Sequence, residues 1–254
     1  MIGIFDSGVG GLSVFREIRK VLPDQSYIYY SDNAHCPYGE KSQEYIIDRA
    51  RKITRLLLDK GAQIIVVACN TATAAAIATL REEFQVKFIG MEPAIKPAAA
   101  RTKTGTVGVL ATAGTLKADK YLSTRVKWGD NIQVVEHVGQ GFVELVESGM
   151  TCGPEAEEIV EISVEPLLDA GADTIVLGCT HYPFLADTIK QVASRLVPDR
   201  EVTIIDPAPA VAKHLLDVMN EEGISAADAS GYALELIASG DPTTLEKIAS
   251  SLDS

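Results

Sequence analysis

The chain has 254 residues, 46% of them hydrophobic and 23% charged, with a formal net charge of −12 at pH 7. Such proportions belong to a globular protein long enough to bury real cores, as one large domain or two small ones, and they exclude a disordered chain. The acidity also argues against nucleic acid as a main partner, because phosphate binding needs a basic face.

Met1 leads directly into Ile-Gly-Ile-Phe, with no basic n-region and no cleavage site. The longest apolar run, around residues 64–69, is far short of a membrane span. Four cysteines, Cys36, Cys69, Cys152 and Cys179, occur without CxxC spacing. That pattern fits a reducing cytosol better than a disulfide framework or a zinc site. The expectation is a cytoplasmic protein with free thiols, no membrane partner and no nucleic-acid partner.

Taken along the chain, the pattern alternates strand and helix. IGIF (2–5) predicts a strand and residues 11–22 a helix, and SYIYYSD (26–32) is a strand leading into a loop that carries CPYG. In residues 43–60, Ile46, Ala50, Ile53 and Leu57 fall on one helical face. A QIIVVA strand follows, then an alanine-rich helix over 71–83 and a strand over 86–91. Repeated βα units of this kind predict a parallel sheet with helices on both sides. After Pro93 and Pro97 the alternation restarts with TVGVLAT (106–112), then NIQVVEH (131–137), helices near 141–148 and 154–170, a DTIVLG strand and a helix from Pro183. VTIID (202–206) closes this half. Residues 207–254 offer another helix, an apolar GYALELIAS run and a last helix with Asp241 as N-cap and Pro242 as its first residue. That tail is too short for a domain of its own. The expected fold is therefore α/β with two related domains, each a mainly parallel sheet flanked by helices: a discontinuous first domain over 1–92 plus 207–254, and a second over 93–206.

The two halves repeat. Residues 61–71 read GAQIIVVACNT and 171–181 read GADTIVLGCTH, so that at an offset of 110 residues Gly61, Ala62, Ile65, Val66 and Cys69 match Gly171, Ala172, Ile175, Val176 and Cys179. Each copy is a β-branched run ending in a thiol, which reads as a buried parallel strand with the sulfur at its carboxyl end. Open α/β sheets gather ligands at that end. A polar follower, Asn70-Thr71 or Thr180-His181, can start the next helix, whose N-terminus favours a thiolate. A lone cysteine at a strand end is ordinarily a small buried hydrophobe, but a duplicated one is harder to dismiss. Two such ends facing each other would set one sulfur on each side of a bound molecule, the arrangement two-base proton transfer needs.

The other candidates are asymmetric. In DSGVGG (Asp6–Gly11) the glycines permit φ > 0 and uncovered N–H groups, which favour a carboxylate or phosphate, although the segment is neither a Walker A motif nor GxGxxG. At an offset of 105, Gly3 matches Gly108 and the hydroxyl of Ser7 matches that of Thr112, but Asp6 faces Ala111. His181 likewise has Thr71 as its counterpart, and an imidazole beside a thiol can tune or relay its proton. Taken residue by residue, CPYG is a turn and Glu147 an ordinary surface glutamate. A thiol-redox protein and a non-catalytic amino-acid-binding module are the readings from other classes. The first lacks CxxC, and the second leaves the retention of both thiols unexplained.

At DSGVGGLSV (6–14), CPYG (36–39), ACNTA (68–72) and GCTHYP (178–183) the chain resembles the glutamate racemases, within the cofactor-independent aspartate/glutamate racemase superfamily. The motifs stand in the family's order and spacing, so the resemblance covers essentially the whole chain. It implies two pseudosymmetric α/β domains with glutamate bound between them, and isomerase activity that supplies D-glutamate for peptidoglycan, hence cell-wall biogenesis and cell shape. It carries the acid/base roles onto Cys69 and Cys179, the first taken to deprotonate D-glutamate and the second L-glutamate. Asp6 would assist Cys69, and His181, oriented by Glu147, would assist Cys179. Substrate contacts would come from Asp6, Ser7, Tyr38, Gly39, Asn70, Thr71, Thr180 and His181, with Thr112 as a further one. Few Arg or Lys residues lie in the motifs, so N–H groups and the hydroxyls of Ser7, Thr71, Thr112 and Thr180 are expected to hold the substrate carboxylates. The family usually has Cys-Pro where this chain has Gly139-Gln140, just ahead of the short helix that carries Glu147. Members that need a cell-wall precursor as activator carry an N-terminal extension this chain lacks, so no such dependence is expected. No lysine is placed for a pyridoxal Schiff base and no ligand cluster resembles a metal site, so neither cofactor nor metal is expected. The expected assembly is a homodimer, and a sister racemase acting on aspartate or hydantoins is the nearest alternative.

Overall fold

The computed structural model describes residues 1–91, 94–128, 132–224 and 233–252. In chain order the first elements are β1 (Ile2–Asp6), α1 (Leu12–Val21), β2 (Ser26–Ser31), α2 (Gln43–Asp59), β3 (Ile64–Val67), α3 (Asn70–Glu83) and β4 (Lys87–Gly90). They continue with α4 (Ile95–Ala99), β5 (Thr106–Ala111), α5 (Ala113–Lys117), α6 (Asp119–Trp128), β6 (Gln133–Val138), α7 (Phe142–Glu147) and α8 (Pro154–Asp169). The last are β7 (Thr174–Gly178), α9 (Ala186–Leu196), β8 (Thr203–Ile205), α10 (Ala208–Glu222), β9 (Ala233–Ala238) and α11 (Thr243–Ser251). Two compact units result, one comprising Met1–Met91 with Ala208–Ser254 and the other Glu92–Pro207.

In the first unit the sheet runs β4-β3-β1-β2-β9, every neighbouring pair parallel. All residues of β1, β2 and β3 are buried, as continuous apolar runs covered on both faces must be. Helix α2 starts where Ser42 accepts the Tyr45 N–H, and it lays Ile46, Ala50, Ile53 and Leu57 on the core. Each of the buried isoleucines and the leucine stabilises by roughly 1.5–3 kcal/mol relative to exposure. The tail joins this unit through β9, which pairs with β2 from Ser26–Ala233 to Ser31–Ala238, and through α10, which packs on α1.

In the second unit the order is β6-β5-β7-β8, again all parallel. This order matches β2-β1-β3-β4 strand for strand, so the sequence repeat is a structural one, to which the first unit adds β9. In each unit the chain leaves the first strand to one side and returns on the other. That creates a topological switch point, between β1 and β3 in one unit and between β5 and β7 in the other, where open α/β sheets form a crevice at the carboxyl ends.

The differences from the sequence reading are local. Pro183 opens a 3-10 turn over Tyr182–Leu185, so the helix expected there begins only at Ala186. Pro242 takes the cap position of α11, and Asp241 instead accepts the Thr243 N–H at 3.0 Å. The short helices α4, α5 and α6 are additional. The expected boundary at 92 and 93, the first residue of the 131–137 strand and the first two of the 231–239 run lie outside the described residues. Among the described residues, no helix is long and apolar enough to cross a membrane.

Candidate active site

In the first unit, Cys69 lies two residues past the end of β3 at the switch point, and Asp6 ends the adjacent β1 with Ser7 next in the chain; the Ala68 N–H donates to the Phe5 carbonyl at 2.8 Å. Cys69 is the N-cap of α3, and its Sγ accepts the Ala72 N–H at 3.4 Å. One backbone donor and the positive end of a 14-residue helix thus favour negative charge on this sulfur. Its S–H reaches the Ser7 hydroxyl at 3.7 Å, and the side chain is 5% exposed. Thr71 and Asn70, in the first turn of α3, are buried, and Asn70 Oδ1 has no hydrogen-bond partner among the described residues. A buried acceptor of this kind suits an ammonium group that arrives with a ligand.

Asp6 is fully buried, and its Oδ2 accepts the N–H groups of Gly8 at 3.2 Å and Gly11 at 2.9 Å. The glycine turn therefore works differently from the sequence expectation. None of Gly8, Gly10 and Gly11 adopts left-handed backbone, and two of the N–H groups are spent on orienting the chain's own carboxylate rather than a ligand's. Gly11 is required for close approach, since a Cβ there would lie 2.7 Å from both Asp6 Cβ and the Tyr29 hydroxyl. Gly11→Ala is expected to cost about 1–3 kcal/mol through overpacking. Thermal unfolding followed by circular dichroism should show a Tm lowered by several degrees, and an unchanged Tm would refute this account of the turn.

The CPYG loop brings Tyr38 and Gly39 to the same half-site. Tyr38 is 1% exposed and shares an apolar cluster with Cys69 and Ala72. Burial pushes its phenol well above the usual range, reinforced by the Asp32 carboxylate that accepts a hydrogen bond from it at 2.5 Å and by the neighbouring Cys69. The ring is therefore a neutral wall beside the thiol.

In the second unit, Cys179, 8% exposed, directly follows β7, and Thr112 directly follows the neighbouring β5, whose Ala111 pairs with Gly178. His181 Nδ1 lies 3.8 Å from Cys179 Sγ, and Nε2 lies 2.6 Å from Glu147 Oε1, at the end of α7. A carboxylate oxygen accepts, so Nε2 carries the hydrogen shared with Glu147, and Nδ1 is the nitrogen that faces the thiol. The result is a thiol–imidazole–carboxylate chain in which the histidine is 1% exposed. Thr180 is buried, whereas Thr112 is partly exposed and caps α5, with its Oγ1 accepting the Thr115 N–H at 3.2 Å. The departure at Gly139-Gln140 leaves α7 in place. Gly139 lets the buried Tyr182 ring come close, since a Cβ there would lie 2.6 Å from the Tyr182 hydroxyl, which donates to the Gly139 carbonyl at 3.3 Å. Burial and then the adjacent Cys179 raise the Tyr182 pKa, so this thiol also has a neutral phenol beside it.

The two thiol clusters are alike in scaffold and different in chemistry: a helix-capping thiol with a backbone-held carboxylate in one unit, a thiol beside a histidine–glutamate pair in the other. The Asp/Glu/Hydantoin racemase family model matches residues 4–215. This chain belongs to that family. Within the racemase family, it is 47% identical to a glutamate racemase of Ectopseudomonas mendocina over 97% of this chain and 92% of that protein. It is 44% identical to a glutamate racemase of Herpetosiphon aurantiacus over 99% and 97%. Among solved racemases, the Escherichia coli glutamate racemase in complex with L-glutamate and the activator UDP-MurNAc-ala superposes with a TM-score of 0.87 at 33% identity, covering 99% of this chain and 94% of that one. The Francisella tularensis enzyme in complex with D-glutamate gives 0.82 at 28% identity, covering 99% and 92%.

Proposed function

We propose that this chain is a cofactor-independent glutamate racemase interconverting L- and D-glutamate, and that both thiols act on one substrate molecule from opposite faces of its α-carbon. The observation that carries the reading is the duplicated strand-end thiol, each copy at a switch point and each with its own proton-handling partners. The Cys69 thiolate removes the α-proton of D-glutamate, and the Cys179 S–H then delivers a proton to the other face, giving L-glutamate; the reverse direction exchanges the roles. An amino acid α-proton is very weakly acidic, so the site must stabilise the carbanion-like state as it forms. Asn70 Oδ1 receives the substrate ammonium, and the hydroxyls of Ser7, Thr71, Thr112 and Thr180 with nearby N–H groups hold the carboxylates. Asp6 assists Cys69, and His181 held by Glu147 assists Cys179.

The product D-glutamate would serve peptidoglycan synthesis. Four free cysteines support a reducing, cytoplasmic setting, and the proposal includes a homodimer, which light scattering tests as twice the chain's mass. Loss of the circular dichroism signal of L-glutamate on incubation with purified protein, without added cofactor and in the presence of a chelator, is the expected result. An unchanged signal for L-glutamate with a falling one for L-aspartate would instead identify a sister racemase.

A further inference from the structure

The proposed chemistry leaves one buried ion pair unused. Asp32 directly follows β2, and its N–H donates to the Asp6 carbonyl at 2.9 Å, which ties it to the end of β1. Its carboxylate is completely buried and is gripped by Arg49 from the middle of α2, Nε to Oδ2 at 2.9 Å and Nη2 to Oδ1 at 2.7 Å. The Tyr38 hydroxyl donates to the same Oδ2, and Ser239 adds a further hydrogen bond. Burial would raise this carboxyl, but the Arg49 and Tyr38 hydrogen bonds outweigh it and hold the group below its usual range, so it is ionised. Buried ion pairs are weak contributors to stability, because desolvation cancels most of their attraction. A pair placed here has a different consequence: it holds Tyr38, whose hydroxyl joins it. That residue begins the 3-10 turn Tyr38–Glu40, which packs on α3, the helix whose N-cap is Cys69.

We propose that Asp32 and Arg49 are positioning residues for glutamate binding, clamping the Tyr38 hydroxyl so that the Tyr38-Gly39 turn is held against the Cys69 half-site with its phenol proton turned away from the thiol. This inference rests on the racemase reading above. The bidentate fork is what a lysine cannot reproduce, although it keeps the charge. A loosened turn weakens substrate and transition state alike, which raises KM and leaves kcat nearly unchanged.

The test is steady-state racemisation of both enantiomers by the full chain carrying Arg49→Lys, Tyr38→Phe, or both. Arg49→Lys is expected to raise KM about tenfold in both directions with kcat within about twofold, and Tyr38→Phe, which leaves the ion pair intact, to do the same. Because both changes cut one connection, the double variant should be no worse than the poorer single one, within about twofold. An unchanged KM in a folded Arg49→Lys protein would make the pair merely structural and overturn the proposal, as would effects that multiply in the double variant. If Arg49→Lys does not fold, Tyr38→Phe decides alone, and an unchanged KM overturns the proposal. A wild-type chain inactive on glutamate would instead defeat the racemase reading itself.

Discussion

Replacing either Cys69 or Cys179 by alanine is expected to lower racemisation of both enantiomers by about 10³-fold or more, equivalent to about 4 kcal/mol of transition-state stabilisation. A single base would have to cross the plane of the substrate to protonate the face opposite the one it deprotonated, so the two-thiol proposal makes each thiol indispensable in both directions. The folded state should survive. Both side chains are small, and the largest structural loss is the α3 cap at Cys69, worth about 1 kcal/mol against a total stability of roughly 5–15 kcal/mol. Activity is read by the decay of the optical signal of each enantiomer, and folding by far-ultraviolet circular dichroism. A folded variant of either kind that keeps more than a tenth of the wild-type rate would end the two-thiol assignment.

The fold was legible because its central strands are short, β-branched and covered on both faces, and because the chain repeats itself. A run such as Ile64–Val67 bounded by Gly61 and Asn70 has few structural alternatives. The five-residue helices Ile95–Ala99 and Ala113–Lys117 were not legible: little more than one turn long, they carry no full apolar stripe, and the first contains Pro97. The parallel pairing of β9 with β2 depends on residues about 200 positions apart and has no local signature. The thiols stood out through duplication, and Asp6 and His181 through lacking counterparts. Glu147 did not, because a carboxylate at the end of a short helix looks solvated until its partner, 34 residues later, is placed at 2.6 Å. Arg49 carries a sequence signal of its own. It lies between Ile46 and Ile53 beside Ala50, on the apolar stripe of α2, and a charge in that position calls for a buried counter-ion.

The asymmetry of the half-sites leads to the second large effect. Asp6→Asn and His181→Asn are each expected to lower kcat/KM by about 10²-fold, in the range of one general acid–base contribution. Because the products are mirror images the equilibrium constant is unity, so kcat/KM must fall equally in the two directions for any single variant, and rates alone cannot show which thiol was affected. Deuterium at the substrate α-carbon can. If Asp6 serves the Cys69 step, Asp6→Asn makes that step limiting. Starting from D-glutamate, the limiting step is then cleavage of the labelled bond, and the isotope effect on kcat/KM rises towards its full value. From L-glutamate, cleavage by Cys179 comes first and is no longer limiting, so the isotope effect shrinks. His181→Asn should give the opposite pattern, large from L-glutamate and small from D-glutamate, if its link to Glu147 serves Cys179. Isotope effects that shift in the same sense for both variants would mean that the two residues do not act on opposite sides. The distinct construction of the half-sites, a carboxylate held by the Gly8 and Gly11 N–H groups in one and an imidazole relay in the other, would then lack a kinetic counterpart.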